Sequence, residues 1–131
     1  MISRRHFLAA SAATGFASFA AGALAAEQRG FDASAFEAAQ KAGRPILVEV
    51  SAPWCPTCQA QKPILQGLFS RPELENLVVF EVDFDTRKEV LKALNVRQQS
   101  TLIVFRGATE MGRSVGDTNP ASIAALLGKL A

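Results

Sequence analysis

The sequence predicts an α/β fold in which a central mixed sheet carries helices on both faces. Three observations lead there. Ile46-Leu47-Val48-Glu49-Val50 is a nearly continuous apolar run, which suits a strand buried on both faces. Apolar stripes at helical spacing alternate along the chain with Val- and Phe-rich strand segments. The two cysteines of the 131-residue chain, Cys55 and Cys58, follow directly on the central strand, where a strand-to-helix turn is expected.

Each element has its own signal. Ser34 and Glu37 have capping-box spacing and predict a short helix, ended by Gly43 with Pro45 just beyond. After the central strand and the cysteines, Ile64, Leu65, Leu68 and Phe69 form a helical stripe, with a kink expected at Pro63. Leu77 to Asp85 reads as a strand. Thr86 and Glu89 repeat the capping box and open a helix to about Leu94. Thr101 to Phe105 is a further strand, and Glu110 to Val115 a weaker one reached through a turn at Gly107. Asn119-Pro120 supplies an N-cap and a first helical residue, and Ile123, Leu126, Leu127 and Leu130 form the buried face of a terminal helix. The expected order is αβαβαββα.

Residues 1–26 stand apart from this pattern. Arg4-Arg5 precede an Ala-rich, weakly apolar run that ends in small residues around Ala23-Leu24-Ala25. A positive start, an apolar middle and a small-residue cleavage site describe a secretory signal peptide. The paired arginines followed by Phe7-Leu8 resemble the twin-arginine export signal of bacteria. The expectation is cleavage near Ala25-Ala26, a periplasmic location and one domain over 27–131. An uncleaved membrane anchor is the alternative, and the run's Ala, Gly, Ser and Thr content argues against it.

Removing the leader alters the charge argument. The chain has 14 basic and 12 acidic residues, and the leader holds two of the basic ones, so the remainder is neutral. That excludes the basic footprint of a nucleic-acid or membrane-surface binder. The only histidine, His6, also lies in the leader. Imidazole-activated nucleophiles and zinc sites that need imidazole are therefore excluded from the domain. The expected form is soluble and monomeric, with no cofactor and no resident metal.

Two cysteines three positions apart close almost no loop, so as a disulfide they remove little unfolded-state entropy. They are chemistry rather than scaffold. A thiolate is the nucleophile in disulfide exchange, and an ordinary thiol is mostly protonated at neutral pH. At the first turn of a helix, unpaired backbone N–H groups and the positive end of the helix dipole favour the anion at Cys55. Cys58, one turn on, is placed to attack a mixed disulfide formed at Cys55. Half of a zinc site and a pair of inert core thiols are the other readings; for zinc, a second ligand pair is missing.

With these residues in view, the chain from about Gly43 onward resembles the thioredoxin family. The matching segments are Ile46 to Val50, Ala52-Pro53-Trp54-Cys55, Pro63, Thr101 to Phe105 and Val115-Gly116. The resemblance implies the thioredoxin fold and a protein-disulfide oxidoreductase. It also implies an active site in which Trp54, Pro56, Thr57, Gln99, Ser100 and Gly116 meet the substrate. The stretch before Gly43 is less similar, and the family's initial strand is expected to be short or missing.

Three departures bear on mechanism. Pro56-Thr57 stands where thioredoxins have Gly-Pro; Pro56 removes an N–H donor, and the Thr57 hydroxyl is a candidate replacement. Glu49 stands at the family's buried acid, which helps move the proton of the resolving thiol. The family's usual Lys partner aligns with Glu81, a like charge expected to hold the proton on Glu49 more firmly. Ser100 occupies the position of the family's cis-proline. A cis bond before a non-proline residue costs roughly 2.5–4 kcal/mol, so a trans Gln99–Ser100 bond and a reshaped loop are expected.

The functional expectation is thus an exported dithiol enzyme that acts on protein thiols and disulfides through Cys55, Cys58 and Glu49. A reductant fed by a membrane electron donor is favoured by the absence of His between the cysteines. The alternative from another class is a thiolate metal-binding or copper-delivery module built on the same two cysteines.

Overall fold

In a computed structural model of the protein, residue 15 and residues 26–131 are described, so the export-signal reading lies almost wholly outside the described residues. Strand β2 (Pro45–Ser51) is the centre of the fold, buried at every position from Ile46 to Val50. It lies between β3 (Val78–Asp83), which runs parallel to it, and β4 (Thr101–Arg106), which runs antiparallel. Strand β1 (Glu27–Gly30) pairs parallel with β3, and β5 (Thr109–Val115) pairs antiparallel with β4, giving the sheet order β1-β3-β2-β4-β5.

Alternation along the strands divides the core in two. Leu47, Val79, Leu102 and Val104 pack beneath α2 (Pro56–Phe69) and α4 (Pro120–Gly128), with Leu65, Leu68, Phe69, Ile123 and Leu127. Ile46, Val48, Val50, Phe80 and Ile103 pack on the other face against α1 (Ala33–Lys41) and α3 (Lys88–Ala93). On that face Phe36 meets Phe80 and Phe105 edge-on, with ring centroids 5.5 Å apart in each pair. Both predicted helical stripes are buried as expected, and no helix among the described residues is long and apolar enough to cross a membrane.

The boundaries depart from expectation in a few places. The order is βαβαβαββα, because β1 precedes the first predicted helix. All four β1 residues are exposed, so the strand has no apolar pattern and is held through its backbone pairing with β3. Helix α1 is capped by Asp32, whose carboxylate accepts from the Ala35 N–H, and not by Ser34. Helix α3 has no side-chain cap; Asp83 takes the N–H groups of Asp85 and Thr86 in the turn before it, so the Thr86–Glu89 box does not form. Pro63 sits inside α2, which continues through it to Phe69. Asn119 caps α4 as predicted, accepting from Ala121 and Ser122, with Pro120 as the first helical residue. The β4–β5 ladder shifts register between Val104 and Phe105, leaving Met111 as an extra residue in β5.

Candidate active site

Strand β2 ends at Ser51, and the Cys55 N–H donates to the Ala52 carbonyl (3.1 Å), closing the turn that delivers Cys55 to the head of α2. Cys55 is the N-cap residue, with extended backbone, and its sulfur accepts from the Cys58 N–H at 3.1 Å. A thiolate here takes the place usually filled by a capping carboxylate or hydroxyl oxygen. Pro56 at the first helical position lacks an N–H at a point where an N–H would in any case have no helical partner.

The two sulfurs are electrostatically unequal. Burial works to raise the Cys55 pKa, but hydrogen bonds from Cys58 and Ser100 and the backbone N–H groups of Cys58 and Thr57 outweigh it. The net effect is a pKa below the ordinary 9.0. Burial pushes Cys58 the other way, reinforced by its hydrogen bond with Cys55, so its thiol holds its proton to higher pH than usual. The donor lost to Pro56 is thus replaced by backbone groups and by Ser100, rather than by the Thr57 hydroxyl. Pro56 itself is exposed and Thr57 half-buried beside the pair.

Ser100 lies across both sulfurs. Its Oγ is 3.1 Å from Cys55 Sγ and 3.0 Å from Cys58 Sγ. Among the described residues there is no cis peptide bond, so Gln99–Ser100 is trans as expected, and Ser100 has φ of 59°. That left-handed conformation is uncommon for a residue other than glycine. It is held from both sides: the Ser100 N–H donates to the Val50 carbonyl, and its own carbonyl accepts from the Gly116 N–H and from Gln61 Nε2. Gly116 also has positive φ (70°), which fits glycine at that loop. Gln99 is half-buried next to Ser100.

Glu49 is buried on β2, facing the α2 side of the sheet. Burial raises its pKa, the positive charge of Lys62 lowers it, and Glu81 raises it again, with a net increase. Lys62 Nζ lies 3.7 Å from Glu49 Oε1 and is about half exposed. The like-charge effect expected from Glu81 is present, and Lys62 of α2 adds an opposing cation that the sequence reading did not include. Glu49 makes no hydrogen bond to either sulfur among the described residues, so it does not reach Cys58 directly.

Trp54 is 58% exposed, and its Nε1–H donates to Asp85 Oδ2 at 2.8 Å. The indole is thus tethered at one end with its rings in solvent beside Cys55. Sequence reasoning missed Gln61, Lys62 and Asp85. For the first two a signal existed: Gln61 interrupts the buried α2 stripe with a polar side chain that is 1% exposed, and Lys62 is one turn beyond Cys58 on the same helix.

The thioredoxin family model matches residues 28–129. The chain is 35% identical over 96 residues to the thioredoxin Asp f 29 of Aspergillus fumigatus, covering 72% of this chain and 87% of that protein. It is 31% identical over 84 residues to a thioredoxin of Chlamydia trachomatis, covering 64% of this chain and 80% of that one. Among solved structures, a protein described as Trxlp from Edwardsiella tarda superposes with a TM-score of 0.75 at 42% identity, covering 77% of this chain and 98% of its own. The Malassezia sympodialis thioredoxin Mala s 13 superposes with a TM-score of 0.71 at 17% identity, over 81% of this chain and 91% of its own, a likeness of fold. The chain belongs to the thioredoxin family, and Cys55 and Cys58 are the dithiol of a protein-disulfide oxidoreductase.

Proposed function

We propose that this oxidoreductase works outside the cytoplasm as a reductant of protein disulfides, with Cys55 as the attacking sulfur and Cys58 as the resolving one. The observation that carries the assignment of roles is the asymmetry of the pair. Cys55 caps α2 and is stabilised as an anion, while Cys58 keeps its proton. In the first step the Cys55 thiolate attacks a substrate disulfide, forming one S–S bond and releasing one substrate thiolate. In the second, Cys58 loses its proton and attacks Cys55 Sγ. The Cys55–Cys58 disulfide forms, the second substrate sulfur leaves, and the substrate has gained two electrons.

Glu49 acts as acceptor for the Cys58 proton. Burial shifts its pKa upward, the direction that brings a carboxylate closer to the basicity a proton acceptor needs. Because it does not touch Cys58, the transfer runs through water. Trp54, the exposed Pro56 and the Gln99–Ser100 and Gly116 loops form the surface offered to the substrate backbone around the sulfurs. The leader with Arg4-Arg5 supports export to the periplasm, and the short β1 edge and the bulged β5 edge support a soluble monomer. Oxidised protein must then be reduced again, and a membrane donor of dithiol electrons fits that location.

The deciding experiment is the reduction potential of the Cys55–Cys58 pair, read by Trp54 fluorescence in glutathione buffers. A reductant is expected near about −270 mV, and a value near about −120 mV would make the protein an oxidase. In parallel, Cys58→Ser is expected to trap substrates as mixed disulfides on Cys55, and Cys55→Ser to trap none. The metal-binding alternative uses the same sulfurs, and among the described residues no group of three or more His, Cys, Asp or Glu side chains is placed to hold a metal. It would need donors from a second chain; copper or iron copurifying with a dimer would favour it.

A further inference from the structure

Of the groups around the dithiol, Ser100 is the one placed symmetrically between the two sulfurs. We infer that Ser100 is a positioning residue that holds negative charge on the dithiol: its hydroxyl donates to the Cys55 thiolate. The inference rests on the dithiol reading above and specifies what stabilises its charge.

The geometry supplies three reasons. The Oγ lies at hydrogen-bond distance from both sulfurs, 3.1 and 3.0 Å. A hydroxyl has one proton to give, so with two sulfur neighbours it donates to one of them at a time. Cys55 already accepts from the Cys58 N–H, which marks it as the anionic partner and so as the sulfur that takes the Ser100 proton. Finally, the hydroxyl has little freedom to leave. Ser100 is 2% exposed, and its backbone is fixed by the Val50 carbonyl, the Gly116 N–H and the buried Gln61 amide. A strained left-handed backbone so firmly held is the kind of local cost that accompanies function.

The chemical consequence has a definite sign. Oxidation joins the two sulfurs, releases two electrons to the substrate and removes both the thiolate charge and the thiol proton. A disulfide sulfur is a poor acceptor, so the hydroxyl stabilises the reduced state more than the oxidised one. Ser100 therefore makes the pair less reducing than it would be without the hydroxyl, while keeping Cys55 ionised at lower pH.

Two variants test this. Ser100→Ala removes the hydroxyl and keeps the strained backbone. Ser100→Gly removes the hydroxyl and relieves the strain. In both, the Cys55 pKa, read from thiolate absorbance of the reduced protein, is expected to rise by about one unit, a tenfold loss of thiolate at a given pH below it. The equilibrium constant for oxidation by glutathione is expected to rise about tenfold, a potential about 30 mV more negative. Unchanged pKa and potential in both variants would overturn the inference. So would opposite shifts in the two variants, which would assign the effect to the backbone. The pKa measurement needs only reduced protein. It therefore decides the role of Ser100 even if exchange with protein disulfides proves absent and the functional reading fails.

Discussion

Lys62 of α2 stands 3.7 Å from the buried carboxylate of Glu49, while Glu81 is paired with Glu49 across the β2–β3 ladder. This buried acid is thus balanced between a half-exposed cation and a like charge. Burial raises the Glu49 pKa most, and Lys62 opposes it. Lys62→Met should raise the Glu49 pKa further. NMR titration of the Glu49 carboxyl would check this, and a downward shift would show that the ammonium does not act on Glu49.

Glu49→Gln should trade activity for stability. A carboxyl whose folded pKa lies above its unfolded value of about 4.5 weakens folding once it ionises. The wild type should therefore lose stability relative to the variant as pH rises from about 4.5 through the folded pKa, and the two should converge below that window. Urea unfolding across that range would measure it. Disulfide reduction by the variant should be slower by about a hundredfold, the lower end for loss of a general base. Full activity would remove Glu49 from the mechanism.

The unequal thiols predict a bend in the dependence of potential on pH. Below the lowered Cys55 pKa, two protons accompany two electrons, and the potential should fall by about 59 mV per pH unit. Between the Cys55 and Cys58 values one proton accompanies two electrons, and the slope should halve to about 30 mV. A single slope up to pH 9.0, the ordinary thiol value, would contradict the assignment of Cys55 as the ionised partner.

Gln61 joins α2 to two loops, donating to the carbonyls of Ser100 (3.2 Å) and Asp117 (2.8 Å). Gln61→Leu keeps the approximate volume and leaves the Asp117 carbonyl without this donor, at an expected cost of about 1–3 kcal/mol. Thermal unfolding would register the loss. The Cys55 pKa should move with it, since the Ser100 loop loses one of its anchors.

Trp54→Ala should raise KM for protein substrates roughly tenfold with a smaller change in kcat, as expected for an exposed aromatic anchor. Steady-state kinetics on a protein disulfide separates the two. A change confined to kcat would point instead to disturbance of Cys55 through the neighbouring backbone.

Much of this was legible in the sequence, for physical reasons that differ by element. Strand β2 and helices α2 and α4 are specified by apolar side chains that the fold buries, so their periodicity could be read. The dithiol could be read because a two-residue spacing has few other uses. Strand β1 could not: Glu27-Gln28-Arg29-Gly30 contributes backbone pairing and exposed side chains, which leave no pattern. The cap of α1 was misread because Asp32 and Ser34 are both competent caps two residues apart, and only the loop geometry chooses between them. The position on β3 where the family carries its Lys holds Glu81 here, so the sequence points to a like charge and to no cation near Glu49. That Lys62 supplies charge across the helix–sheet interface depends on how α2 is laid over β2, which residue spacing does not encode.

The extra residue at Met111 has a consequence for how molecules of this protein meet. Strand β5 is an outer strand, and an uninterrupted outer strand is a template on which another chain can add. The shift between Val104 and Phe105 breaks that template at mid-length, and the ion pair of Glu110 and Arg113 puts charges on either side of the break. At the opposite border, β1 offers only four residues. A domain whose charges cancel has little electrostatic repulsion to keep copies apart, so these two spoiled borders are what oppose edge-to-edge pairing. Deleting Met111 would regularise the outer strand and, by the same reasoning, invite a second copy to pair with it edge to edge.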